Sequence, residues 1–147
     1  MSVLDELVTD RTQADVDALN EKGTYNAVDL NRVGEAVSLL AAGLESMGMS
    51  APVAPVTDWT DGDVPNADQM SVYLRDVATI QTRLQALTGE APQIPAAMEG
   101  LTYTGANAIE EVLSLMAGTL DGMEAAAELR QANTFFMTAG GVFNNAG

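Results

Sequence analysis

The run Asn26-Ala27-Val28-Asp29-Leu30-Asn31-Arg32-Val33-Gly34-Glu35-Ala36-Val37-Ser38-Leu39-Leu40-Ala41-Ala42-Gly43-Leu44-Glu45-Ser46-Met47-Gly48 reads as a single amphipathic helix. Leu30, Val33, Val37, Leu40, Leu44 and Met47 step by three and four, the spacing of one helical face. Asn26 offers a side-chain oxygen to an unpaired first-turn amide, and Gly48 supplies a stop. At an offset of 40 residues, Asn66 follows Pro65 and heads the same pattern: Met70, Tyr73, Val77, Ile80, Leu84 and Leu87, with Gly89 just beyond. Alignment of the two asparagines carries Leu30 onto Met70, Val33 onto Tyr73, Val37 onto Val77, Leu40 onto Ile80 and Leu44 onto Leu84. The match is that of two related helix-loop units, or equally of any two amphipathic helices with asparagine caps. Each should run about 21 to 23 residues, roughly 30 Å at 1.5 Å per residue.

Outward from this pair, Thr12 to Lys22 predicts a short helix, with Thr12 as N-cap, Asp15 three residues on and Gly23 as terminator. A fourth helix is expected after Thr104, through Ile109, Val112, Leu113, Met116, Leu120 and Met123 to about Arg130. Gly105, Gly118 and Gly122 weaken it, each by about 0.5–1 kcal/mol relative to alanine. Its small face, Ala117, Gly118, Gly122, Ala125 and Ala126, suits close approach by a neighbouring backbone from this chain or another subunit. The connections Ser50 to Pro65 and Thr88 to Thr104 exceed the usual two to eight residues of bundle loops. Their prolines and apolar residues (Val53, Val56, Trp59; Ile94, Met98, Leu101, Tyr103) point to extended segments laid on the bundle. Trp59, the only tryptophan, reads as an anchor on the core, with exposed recognition as the alternative.

The expected fold is therefore all-α: a bundle of three to four helices over residues 1–130 with long Pro-containing loops, followed by an extended apolar C-terminal tail over 131–147. From Asn133 onward the chain carries no charge and no evident helical period, and it holds all three phenylalanines, Phe135, Phe136 and Phe143. Gly140-Gly141 could turn a short hairpin. Phe135, Phe136, Met137, Val142 and Phe143 are candidate subunit-interface residues. The tail either folds back on its own bundle or docks in another subunit.

Composition removes much chemistry. The chain has 147 residues and a net charge of −15, with no cysteine and no histidine. Disulfides, thiolate nucleophiles, His-Cys metal sites and imidazole bases are excluded. Six scattered basic residues cannot form a phosphate-binding surface, so nucleic acid and anionic membrane are not expected partners. Apolar runs are too short for a membrane span, and Met1-Ser2-Val3-Leu4-Asp5-Glu6 lacks the basic start of a signal peptide. Paired acids such as Asp15 and Asp17 or Glu110 and Glu111 show no convergent geometry. Asp58-Trp59-Thr60-Asp61-Gly62-Asp63 lacks the glutamate that closes a calcium loop and reads as a solvated turn before a helix. No cofactor, metal, catalytic residue or small-molecule substrate is expected.

Several strings together resemble a set of small structural proteins of tailed bacteriophages. They are Asp10-Arg11-Thr12-Gln13-Ala14-Asp15-Val16, Tyr25-Asn26-Ala27-Val28-Asp29-Leu30-Asn31-Arg32-Val33, and Thr57-Asp58-Trp59 followed by Val64-Pro65-Asn66. Ile94-Pro95, Met98-Glu99-Gly100-Leu101-Thr102-Tyr103 and Asn107-Ala108-Ile109-Glu110 continue the order. The likeness spans roughly residues 8 to 125 and departs after Arg130. The resemblance implies a virion component of the tail, baseplate or fibre attachment, made in the bacterial cytoplasm. It implies partnership with copies of itself and other virion proteins, and carries over no catalytic residue. A head-surface protein is the nearer alternative, a soluble host-directed interaction module the further one. Arg11 and Arg32 are candidate structural anchors, pairing with acids such as Asp15 or Asp29 or else lying in solvent; Trp59 and Tyr103 are the aromatic anchors.

Overall fold

A computed structural model describes the backbone of residues 2–139 and the side chains of residues 2–131. The described residues are all-helical. A 3-10 turn at Val3–Glu6 is followed by α1 (Gln13–Ala18), α2 (Ala27–Ser46), α3 (Ala67–Thr88) and α4 (Tyr103–Ala139).

Each of the first three α-helices begins with the same reciprocal device. The Thr12 hydroxyl accepts from the Asp15 amide while Asp15 accepts from the Thr12 amide; Asn26 with Asp29 and Asn66 with Gln69 do the same. Two first-turn donors that the helix leaves unpaired are thus satisfied at each start. α1 ends at Leu19, which takes a left-handed φ of 52°. α3 ends at Gly89 with φ 88°, a conformation in which glycine bears no Cβ penalty.

The periodic faces meet as the spacing requires. Leu30, Val33, Val37, Leu40 and Leu44 of α2, Tyr73, Val77, Ile80 and Leu84 of α3, and Ile109, Val112, Leu113, Met116 and Leu120 of α4 form one buried cluster. Each fully buried aliphatic side chain contributes about 1.5–3 kcal/mol relative to exposure. α4 packs on both α2 and α3, and the 3-10 turn lies on α2 and α4. The long connections are laid on this core: Ala51 is buried, and Val53, Trp59, Ile94, Met98 and Leu101 pack against the cluster partly covered. The first connection crosses α2 at Gly34, where an added Cβ would stand 2.5 Å from the Val56 carbonyl oxygen.

Two expectations change. The fourth helix does not stop near Arg130 but continues to Ala139, so the backbone of residues 131–139 is helical rather than extended. The charge-free composition there hid the helix, because alanine and methionine favour helical backbone without marking a polar face. Residues 140–147, with the Gly140-Gly141 turn, lie outside the described residues. Second, α1 stops at Ala18, where Leu19 takes the left-handed conformation, rather than running to Lys22 with Gly23 as its terminator. The small face of α4, suited to a backbone from this chain or another subunit, is approached by none of its own chain at its two glycines among the described residues. A Cβ added at Gly118 or Gly122 would meet nothing within 4 Å.

Candidate functional site

The most concentrated polar chemistry lies where the N-terminal arm crosses the bundle. Glu110 sits on the inner face of α4 between Ala106 and Leu113 and is fully buried. Its Oε1 accepts from the Val8 amide at 3.0 Å and Arg32 Nε at 2.6 Å. Its Oε2 accepts from an Arg11 guanidinium nitrogen at 2.6 Å and an Arg32 one at 2.9 Å. Asp29, on the first turn of α2, accepts from Arg32 at 2.6 Å and Arg11 at 3.3 Å while closing the Asn26 cap at 2.9 Å.

Asn107, one turn before Glu110, clasps the arm through its backbone. It donates to the Arg11 carbonyl at 3.0 Å and accepts from the Arg11 amide at 3.0 Å. Arg11 is 4 % exposed, donates to the Val8 carbonyl at 2.9 Å, and lies 5.5 Å from the centre of the Tyr25 ring. The Tyr25 and Tyr73 hydroxyls share a hydrogen bond between the arm side of α2 and α3. Burial pushes both phenols above the ordinary tyrosine value. Hydrogen bonding to Glu110 raises the Arg32 guanidinium further still, so it stays charged at every accessible pH.

Two arginines and two carboxylates make a neutral cluster whose charges are taken out of water. Their mutual attraction offsets a desolvation cost of several kcal/mol per ion only when the hydrogen bonding is nearly complete. Here it is nearly so: Arg11 Nε alone of these polar atoms is buried without a partner. With both Glu110 oxygens engaged twice, the arrangement holds three segments together, and only Arg32, half-buried, reaches its edge.

Of the anchors expected from sequence, Arg11 and Arg32 come together in this cluster. Asp29 is their shared partner; Asp15 is not, because its carboxylate caps α1. Trp59 is half-buried on the core, and Asn31 fixes its backbone by two bonds of 2.8 Å. Tyr103 opens α4 half-buried and is not one of the side chains that form the cluster. Phe135, Phe136 and Met137 fall in the helical stretch of α4 where only backbone is described, and Val142 and Phe143 lie outside the described residues. Glu110 and Asn107 were not singled out as partners. The available signal was a charged residue on the apolar stripe, four after Ala106 and three before Leu113.

A second buried acid stands apart. Asp76 of α3 is 2 % exposed; one oxygen accepts from the Ala54 amide at 3.3 Å and the other has no partner. It lines a cavity of about 220 Å³ with Val37, Val56, Trp59 and Tyr73, and this burial raises its carboxyl above the ordinary value. A wider groove of about 980 Å³ runs between Trp59, Met70, Leu74, Ile94 and Met98. The Asp61-Gly62-Asp63 turn is closed on itself, with Asp63 accepting from the Thr60 amide at 2.7 Å. Among the described residues no group of three or more potential ligands is placed to hold a metal ion, and no helix is long and apolar enough to cross a membrane. No family model, curated protein or solved structure matches this chain.

Proposed function

We propose that this chain is a non-enzymatic structural and assembly component of a tailed-bacteriophage virion, associated with the tail, baseplate or fibre attachment and acting through subunit contacts. One observation carries the reading. The strings on which the resemblance rests are distant in sequence, yet their polar residues meet. Arg11 of the first, Asp29 and Arg32 of the second, and Asn107 and Glu110 of the last build the buried cluster, while Asn31 holds Trp59. Residues of three separated motifs thus serve one structural purpose. That purpose is to fix an arm and a long helix rigidly, which suits a part that transmits position to its neighbours.

The partners proposed are copies of this chain and other virion proteins. Mass spectrometry of purified particles tests the reading, with gold-labelled antibody to separate a tail from a head-surface location. Stoichiometric recovery with label at one end of the tail is expected. Absence from washed particles overturns it in favour of a host-directed role.

A further inference from the structure

The acid that the fold leaves least satisfied lines a cavity. Asp76 of α3 is 2 % exposed; one carboxylate oxygen accepts from the Ala54 amide, while Oδ1 is buried with no hydrogen-bond partner. A buried carboxylate with an idle oxygen costs stability until a donor meets it. Val37, Tyr73 and Asp76 are the buried lining of this cavity, whereas Ala54, Val56, Asp68 and Gln69 are exposed. It therefore opens to solvent between the first connection and the start of α3. Its volume of about 220 Å³ is that of about seven waters at about 30 Å³ each, so a single bridging water would leave most of it empty against apolar walls.

We propose that this cavity is a binding site for a primary alkylammonium group, whose charge meets Asp76 Oδ1 while its carbon chain lies along Val37, Val56 and Trp59. The sign of the charge follows from the lining. Asp76 and Asp68 are both acids and no lining residue is basic. Arg75, next to Asp76 in the chain, is exposed and lines the wider groove instead. In a chain of net charge −15 the field at such a site favours a cation.

The count of acceptors selects ammonium over guanidinium. A guanidinium presents a planar fork that needs two acceptors side by side, and the Ala54 amide already occupies one Asp76 oxygen. An ammonium is a point charge that one oxygen can meet. The carbonyls of Ala54 and Pro55, residues of the same lining, accept no hydrogen bond among the described residues and can take its remaining protons. Trp59 and Tyr73 add aromatic surface, which covers methylenes and attracts cations. The site goes beyond the assembly reading and does not rest on it, since a lysine of a partner protein and a free amine present the same group.

Trp59 is the only tryptophan and lines the cavity, so its fluorescence reports occupancy. Because Trp59 also borders the wider groove, the amide resonance of Ala54, which lines the cavity and not the groove, is followed in parallel. The full-length chain is titrated near neutral pH and at constant chloride with n-butylammonium, n-butylguanidinium and neutral n-butanol. Saturable binding of n-butylammonium is expected, about ten-fold or more tighter than the other two. Asp76→Asn keeps an oxygen for the Ala54 amide but puts a donor where Oδ1 stood, and should weaken n-butylammonium about ten-fold or more. No saturation below about 100 mM overturns the proposal. So does equal affinity for n-butanol or n-butylguanidinium, a comparison made on the natural chain whether or not the variant folds, and so does unchanged affinity in a folded Asp76→Asn. Nα-acetyl-lysine amide that binds as well as n-butylammonium assigns the site to a lysine side chain of a partner; its exclusion, with n-butylammonium still bound, assigns it to a free amine. Neither result alters whether the chain is found in particles.

Discussion

The two halves of α4 treat their side chains in opposite ways. Up to Leu120 the helix buries a glutamate completely, while past it Leu129 stands 63 % exposed. Polarity alone would have placed each the other way. What differs is the supply of partners: Glu110 meets four donors, two of its bonds coming from Arg32, one from Arg11 and one from the arm backbone. Burial therefore follows what the rest of the chain brings to a position, not the residue type read by itself.

The strongest way to break this contrast is to remove the acid. Glu110→Ala leaves buried Arg11 and half-buried Arg32 with only Asp29 between them, a change that costs about 3–5 kcal/mol. For a domain of this size the melting temperature should fall by roughly 10 °C or more. Hydrogen exchange at the Val8 amide should rise with it, because that amide donates to Glu110. A melting temperature within about 2 °C of the natural chain would mean that the cluster contributes little and that the halves do not differ as described. Truncating Leu129 to alanine, by contrast, should leave the dilute monomer unchanged within about 0.5 kcal/mol.

Glycines sharpen the same comparison. At Gly34 the new methyl of an alanine would stand 2.5 Å from a backbone carbonyl that cannot swing aside, so Gly34→Ala should cost about 1–3 kcal/mol and loosen the Val56 to Trp59 segment. At Gly122 the added methyl meets nothing, and Gly122→Ala should instead favour the helix by about 0.5–1 kcal/mol. Thermal unfolding of the two variants at low concentration checks the opposite signs; equal signs would show that the outer half is packed after all.

Much of the inner half was legible in the sequence. Asn26 and Asn66 cap their helices as the spacing predicted, and Gly89 ends α3 in the left-handed conformation. Most of their apolar steps became the core, because a period near 3.6 leaves few ways to bury one face, while Met47 and Met70 are half-buried and Leu87 at the end of α3 is exposed. The cluster was half legible. Two arginines in an acidic stretch asked for partners, and Asp29 was one of the acids considered. Glu110 lies 99 residues from Arg11, and no local pattern encodes a contact at that separation. The end of α4 was misread, since helical continuation through Asn133 and Thr134 carries no polar and apolar alternation to announce it. The 3-10 turn at Val3–Glu6 also went unread, being four residues held mainly by the Ser2 and Asp5 reciprocal cap.

Of smaller effect is the α3 cap. Asn66→Ala removes the acceptor of the Gln69 amide, at 2.8 Å, and should cost about 1 kcal/mol. Asn66→Ser should restore most of it, and a loss no greater than 0.2 kcal/mol would show that Gln69 alone satisfies that helix start.

The smallest expected change compares the two buried acids. Asp76 forms no ion pair to match those of Glu110, feeling only the field of Arg75 beside it, and one oxygen lacks a partner. Burial raises its carboxyl above the unfolded value, so between those two values the folded chain holds the proton that the unfolded chain releases. Stability must then fall as pH rises through that window, because the folded state binds more protons there. Asp76→Asn keeps an oxygen for the Ala54 amide and abolishes the ionisation. The variant should match the natural chain near pH 3.5 and exceed it by up to about 1 kcal/mol at pH 7, read from melting temperatures across that range. A difference that does not grow with pH would mean that Asp76 is as well compensated as Glu110. The contrast between a buried acid with four bonds and one with a single bond would then have to be given up.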